Sequence, residues 1–179
     1  MQFKLLTAVT TFLAASSVQA AIAPSDIVNT LEKVTDLSSD TKDIAEDISN
    51  PVTIIPNGFK LVNNFKDIIS TVTGAISMLG DLPNDPNFPE AGQTDICDAF
   101  REFVKVHQAL LNVVIGKDSL LSSTPVASIL AAVLRALESG VDKLAFTIID
   151  TVPTCAAGAK KDLEALDGTI GEAIDTFSS

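Results

Sequence analysis

Few side chains in this sequence could do chemistry, and its single histidine and two cysteines set the limits. His107 stands alone among 179 residues, and the cysteines are Cys97 and Cys155. A zinc site needs several His or Cys ligands at short spacing, which one histidine cannot supply. A serine hydrolase of the α/β type would carry its nucleophile in a GxSxG turn, and no such motif occurs. We therefore predict no catalytic residue, no metal ligand and no cofactor, and we place His107 in the core or at the edge of a cavity.

Motifs that bind phosphate or calcium are missing as well. The sequence contains neither the GxGxxG nor the GxxxxGK[ST] pattern of phosphate-binding loops. An acidic cluster at residues 36–47 lacks the glycine-turned loop of an EF-hand, so we interpret it as the solvated face of a helix. The formal charge of −11 argues against nucleic acid and anionic lipid headgroups, which attract clustered Lys and Arg. The sequence thus predicts neither an enzyme nor a nucleic-acid-binding protein.

The apolar residues, 46% of the chain, show which elements must position everything else. In residues 94–116 they recur every three or four positions, with His107 on or beside the stripe, Thr94 as the expected cap and Gly116 as the stop. Further stripes predict helices over residues 24–49, 56–79, 124–149 and 156–177, with room for a bend near 37–39 and one turn within 118–123. Because no strand-like alternation occurs, we predict an all-α, mostly antiparallel bundle of about five helices.

The longest predicted loop covers residues 80–93, which include three prolines and show no helical period. Phe88 within this loop is expected to fold back over one end of the bundle.

The two cysteines test this topology. If the helix that begins near Cys97 runs up and the next runs down, Cys155 lies at the same end of the bundle. In an exported chain a Cys97–Cys155 disulfide is then the default expectation. The alternative is two reduced thiols, each buried separately.

The first residues have the composition of a targeting segment. Lys4 precedes an apolar stretch at residues 5–15, and Val18-Gln19-Ala20 forms a small-x-small cleavage site. We predict a secretory signal peptide over residues 1–20 and a single secreted helical domain over residues 21–179. No later stretch has the roughly 18 uncharged apolar residues of a transmembrane helix.

Wide apolar faces and few bulky aromatics leave two interpretations of the interior: a solid core, or an elongated cavity for an apolar ligand. A fatty acyl chain gains about 0.8 kcal/mol per buried CH₂ group, so a long chain could offset the cost of association. Arg101, Lys105 or Lys66 could meet a carboxylate at the mouth of such a cavity, or could simply be surface charges. The candidate lining residues are Phe65, Ile69, Val72, Ile76, Phe100, Phe103, Val104, His107, Leu111, Leu130, Leu134 and Leu137.

Three segments resemble a known family. They are AIAPSDIVNTLEKVTDLSSDTKDIAEDI at residues 21–48, GFKLVNNFKDIISTVTGAIS at 58–77 and DLEALDGTIGEAIDTF at 162–177. Their spaced Val, Ile, Leu and Thr are similar to those of the fungal hydrophobic surface-binding proteins, a family that includes cell-wall galactomannoproteins. The resemblance implies an all-α lipid-binding bundle, whose relatives take fatty acids into a core cavity or adsorb to hydrophobic surfaces. The chain ends in TFSS without a Ser/Thr-rich stalk or the tail of a GPI signal, which favours release over wall anchoring and leaves loose wall association open.

Two functional hypotheses follow. The first is a secreted, non-catalytic protein that binds fatty acids or similar apolar molecules in a cavity of the bundle. The alternative is a surface-active adaptor that adsorbs to hydrophobic surfaces and recruits a secreted hydrolase. The two differ in where the apolar surface lies: inside for a carrier, outside for an adsorber.

Overall fold

The computed structural model describes residues 22–80 and 88–178, and within these ranges the chain consists of helices and short connections, without a strand. The predicted signal peptide lies outside the described residues. The helices are α1 (Pro24–Glu46), α2 (Pro51–Leu79), α3 (Glu90–Ile115), the single turn α4 (Asp118–Leu121), α5 (Val126–Thr151) and α6 (Ala156–Phe177). The all-α prediction is confirmed, with five long helices and one short one.

The five long helices form a closed ring in the order α1, α2, α5, α6, α3, with α3 packed again on α1. Each helix turns its apolar face to the inside of this ring, where the core residues form one continuous cluster. The short helix α4 packs against α2 and covers one end, where Leu121 is buried. The ring therefore encloses a single elongated apolar interior.

Helices that follow each other in the chain run antiparallel, as predicted, but several neighbours in the ring run parallel. Along α1 and α3 the contacts advance together: Pro24 lies against Gly92 near the starts, and Ser38 bonds His107 further along. Along α2 and α5 the contacts also advance together. Gly58 lies against Val126 near the starts of the two helices, and Val72 lies against Gly140 further along. The parallel pairs arise because the ring order differs from the chain order.

Helix α1 is continuous and keeps an unbroken buried face, so it has no break near residues 37–39. Ser38 and Thr41 lie on that face at 0% exposure, between Val34 and Ala45. Both hydroxyls donate to carbonyl oxygens four residues earlier in the same helix, Ser38 Oγ to the Val34 oxygen at 2.8 Å. Polar residues can thus continue the seam without unsatisfied donors.

Helix α2 begins at Pro51, five residues before the predicted start. The side chain of Asn50 caps it by accepting hydrogen bonds from the N–H groups of Val52 at 3.0 Å and Thr53 at 3.2 Å. Pro51 fits the first position, where the missing N–H would have no partner in the helix. Pro56 cannot donate to the carbonyl of Val52, but Val52 is 83% exposed, so water can reach that turn.

Helix α3 also begins earlier than predicted, at Glu90. Thr94 is not its cap, because it lies inside the helix and its hydroxyl donates to the Glu90 carbonyl at 3.0 Å. Phe88, just before the helix, is buried and joins the core cluster, as predicted. The other boundaries lie close to their predicted positions, including the short turn α4 and the end of α3 next to Gly116.

A disulfide joins Cys97 near the start of α3 to Cys155 at the start of α6, with 6.2 Å between their Cα atoms. This confirms the predicted pairing. Gln93 ties the same end together: its Nε2 donates to the Phe88 carbonyl at 2.9 Å, and its Oε1 accepts from the Thr154 hydroxyl. One end of the ring is therefore held by a covalent and a polar link.

Candidate functional site

The interior of the ring is built mainly from aliphatic side chains. Its largest fully buried members are three phenylalanines, Phe65 on α2 and the pair Phe100 and Phe103 on α3, whose rings lie 6.2 Å apart. The sequence has no Trp and no Tyr to add larger rings. Such an interior offers an apolar ligand contacts with many flexible Leu, Ile and Val side chains.

The structure brings most of the predicted lining residues together inside the ring. Ten of the twelve are buried: Phe65, Val72, Phe100, Phe103, Val104, His107, Leu111, Leu130, Leu134 and Leu137. Ile69 and Ile76 are only half-buried, at the outer edge of the core. On α2 their inward places are taken by Ile68 and Ala75. That any of these side chains contacts a ligand stays a prediction.

His107 is completely buried, at 0% exposure, among these apolar residues. Its Nδ1 lies 2.8 Å from the Ser38 hydroxyl of α1, and its ring centroid lies 5.4 Å from that of Phe103. Its Nε2 is buried and has no hydrogen-bond partner among the described residues. The interior thus contains one imidazole whose Nδ1 is hydrogen-bonded and whose Nε2 has no partner among the described residues.

Burial in the apolar interior lowers the pKa of His107 from 6.5 to about 4. The imidazole is therefore neutral at physiological pH, because a charge there would be desolvated without a counter-ion. A neutral imidazole has one donor and one acceptor nitrogen. It is a hydrogen-bonding group inside an otherwise apolar space.

Ser38 was not among the predicted site residues. The sequence analysis considered the segment around it, residues 37–39, only as the place of a bend. The seam in fact runs through Val34, Ser38 and Thr41, at spacings of four and three. The signal that could have identified Ser38 is its position in the apolar repeat of α1. His107 occupies a position of the same kind in the repeat of α3.

Two of the three predicted cations, Arg101 and Lys105, form ion pairs outside the interior. Arg101 forms ion pairs with Asp98 at 3.1 Å and with Asp162 of α6 at 3.6 Å, and Lys105 pairs with Glu102 at 3.3 Å. All of these pairs lie at the surface. The alternative interpretation of Arg101 and Lys105 as surface charges is the one that agrees with their contacts.

None of the predicted lining residues borders the open grooves described on the surface. The largest described groove, about 740 Å³, lies beside α5 and the end of α2. Its polar residues include Glu138, Asp142 and Asp150, so it is acidic. A second groove, about 350 Å³, lies between α1 and α2 at Gly74.

No group of three or more His, Cys, Asp or Glu residues in the described ranges could hold a metal ion. None of the described helices is long and apolar enough to cross a membrane.

Comparison with protein-family models gives no match, and neither does comparison with curated proteins. Two solved structures share the fold. One is the crystal structure of Afmp4p in complex with palmitic acid, with a TM-score of 0.67 and 14% identity over 86% of this chain and 99% of that one. The other is ligand binding domain 1 of the Penicillium marneffei MP1 protein complexed with arachidonic acids, with a TM-score of 0.68 and 16% identity over the same shares. At this identity the likeness establishes the helical-bundle fold.

Proposed function

We propose that this chain is a secreted, non-catalytic protein that binds a long-chain fatty acid or a similar apolar ligand between the helices of the ring. One observation carries the proposal: five amphipathic helices close around an aliphatic interior in a fold whose solved examples hold palmitic acid and arachidonic acids. The resemblance of the sequence to fungal hydrophobic surface-binding proteins supports the same function. So does the signal-like segment at residues 1–20, which supports secretion.

The chemistry of the interior favours such a ligand. Each buried CH₂ group of an acyl chain contributes about 0.8 kcal/mol, so a chain of about 16 carbons gains on the order of 10 kcal/mol, against an association cost of at least about 4 kcal/mol. The interior must widen to accept it. Leu, Ile and Val side chains can change rotamer to do so.

Native mass spectrometry of the secreted chain, before and after delipidation, followed by titration with palmitic acid, tests this function. We expect a co-purified mass of a fatty acid and saturable rebinding near one ligand per chain. A clean ligand-free mass with no saturable uptake would rule out a carrier.

A matched pair of variants on α5 places the site. Leu134→Phe adds bulk inside the ring, where Leu134 is fully buried, whereas Ile129→Phe adds it at a position that is 36% exposed. Because filling the interior leaves less room for the ligand, Leu134→Phe should weaken palmitic acid binding about tenfold or more, by the roughly 1–3 kcal/mol that overpacking costs. Ile129→Phe should leave it unchanged, and circular dichroism checks that both variants fold.

A second function is favoured by an exposed apolar stripe at the start of α2. Val52, Ile55 and Phe59 lie three and four residues apart, on one face, and are 83%, 41% and 42% exposed. This stripe suits adsorption to a hydrophobic surface, where the protein could hold a secreted hydrolase. The control residue is Phe146, which is 56% exposed on α5, away from this stripe. Binding to polystyrene beads that scales with bead area, and that is lost in Val52→Ser/Phe59→Ser but kept in Phe146→Ser, would favour this second function.

A further inference from the structure

Four polar residues are buried in the described structure, and three of their side chains satisfy themselves within their own helices. The hydroxyls of Ser38, Thr41 and Thr151 each donate to a backbone carbonyl three or four residues earlier. His107 is the exception. Its Nδ1 meets Ser38, but its Nε2 meets no donor or acceptor among the described residues.

The hydrogen bonds around Ser38 fix which nitrogen of His107 carries the proton. The Ser38 hydroxyl has one hydrogen, and its oxygen lies 2.8 Å from both the Val34 carbonyl oxygen and His107 Nδ1. If that hydrogen goes to Val34, Nδ1–H donates to Ser38 and every proton is bonded. The other tautomer would leave an Nε2–H buried without an acceptor, and unpaired buried N–H groups are rare. Nε2 is therefore the bare acceptor.

An unpaired acceptor in an apolar interior destabilises the fold relative to an apolar side chain of similar size. Leucine would fill the same place on α3, between Val104 and Leu111, without that cost. Nε2 of His107 is thus an acceptor that no described residue uses.

We propose that Nε2 of His107 accepts a hydrogen bond from the polar head of the bound apolar ligand, and that the head therefore carries an O–H group. This inference rests on the proposed function. The matching ligands are fatty acids bound as the neutral carboxylic acid, and long-chain alcohols. Ser38 is the positioning residue, since it holds the ring and its tautomer.

The absence of buried cations supports the neutral form of the acid. None of the buried polar residues in the described ranges is a Lys or Arg, so a carboxylate at this depth would lie without a counter-ion. A carboxylic acid avoids this cost and donates its own O–H to Nε2, with no proton transferred. A fatty acid methyl ester has the same chain but no O–H, and its oxygens would face a bare lone pair.

The test compares palmitic acid, hexadecanol and methyl palmitate on the delipidated full chain by competition with a fluorescent fatty acid. We expect the acid and the alcohol to bind about tenfold more tightly than the ester, the effect of one hydrogen bond to a buried acceptor. In His107→Leu the acid, the alcohol and the ester should bind with about equal affinity, because the acceptor is gone. Thr41→Val is the matched control: it removes a buried hydroxyl that bonds only within α1, and it should keep the preference.

Nitrogen-15 NMR of the imidazole provides a second measurement that does not depend on a variant that folds. Palmitic acid and hexadecanol should shift the Nε2 signal of His107, and methyl palmitate should not. Equal binding of all three ligands with an unchanged Nε2 signal would overturn the head-group assignment and leave fatty acid binding standing. Failure of all three to bind the wild-type chain would overturn the proposed function itself.

Discussion

Ser38 of α1 and His107 of α3 lie in contact inside the ring, with 2.8 Å between the hydroxyl oxygen and Nδ1. Both are at 0% exposure, and they are 69 residues apart in the sequence. Because α1 and α3 run parallel, this hydrogen bond also fixes the register between two helices that no short loop connects. A polar contact in an apolar interior specifies one alignment, since a shifted register would leave Nδ1 of His107 unpaired.

The first prediction concerns the pH dependence of stability. Burial lowers the pKa of His107 to about 4 in the folded chain, against 6.5 when unfolded, so between these values the unfolded state binds the extra proton. The contribution of the neutral imidazole is fully present above pH 6.5 and is lost as the pH falls toward 4, by up to about 3 kcal/mol. Urea unfolding from pH 4 to 8 should show His107→Leu gaining stability over wild type as the pH falls. Plots of stability against pH that run parallel for the two proteins would contradict this prediction.

The sequence predicted the helices well where apolar residues alone mark the buried face. The stripes of α3, α5 and α6 are long and regular, so the course of these helices followed from periodicity, although α3 begins at Glu90 rather than at residue 94. It failed at two kinds of place. Ser38 interrupts the apolar stripe although it is buried, and the prolines at 51 and 56 look like breaks although Asn50 caps a helix that passes through both.

The order of helices in the ring was beyond sequence reasoning. Short connections constrain only neighbours in the chain, whereas the α1–α3 and α2–α5 pairings join distant segments. These pairings depend on close approaches at glycines: a Cβ on Gly92 would lie 2.7 Å from Pro24, and one on Gly58 would lie 3.0 Å from Val126. Periodicity shows which face of a helix is buried, but not which helix will cover it.

The glycines of α2 provide the second prediction. At Gly58 an added methyl group would crowd both γ carbons of Val126, so Gly58→Ala should destabilise the fold by about 1–3 kcal/mol through overpacking. Gly74→Ala, in the same helix, meets nothing within 4 Å and should stabilise the fold by about 0.5–1 kcal/mol, since alanine loses less backbone entropy. Urea midpoints give both values. Changes of the same sign in the two variants would show that the α2–α5 contact is not tight at Gly58.

The third prediction concerns the disulfide. Cys97 and Cys155 close a loop of 58 residues, which on the chain-entropy model stabilises the fold by about 4 kcal/mol. The double variant Cys97→Ala/Cys155→Ala should lose about that amount in urea unfolding, while its circular dichroism remains helical because the apolar ring is intact. Reduction of the wild-type chain with dithiothreitol should match the variant, and it should leave the double variant unchanged. A loss in the variant without a loss on reduction would mean that the alanines, rather than the missing bond, cause it.

The fourth prediction concerns two carboxyl groups at the α5–α6 contact. Burial, together with a hydrogen bond and charge repulsion from Asp142, raises the pKa of Asp167 to about 6. Because two ionised carboxylates have no hydrogen to donate, the hydrogen bond between these side chains requires that one of them is protonated. A raised pKa means that the folded state binds the extra proton, so this contribution to stability is present below the unfolded value of 3.8 and is lost as the pH rises through about 6.

Asp142→Asn supplies a permanent donor and should raise the melting temperature at pH 7 by about 1–2 °C, with no gain at pH 4. The control is Asp150→Asn, which removes an exposed charge from the same helix. An equal gain from both variants would assign the effect to net charge, because of these two residues only Asp142 hydrogen-bonds the Asp167 carboxyl.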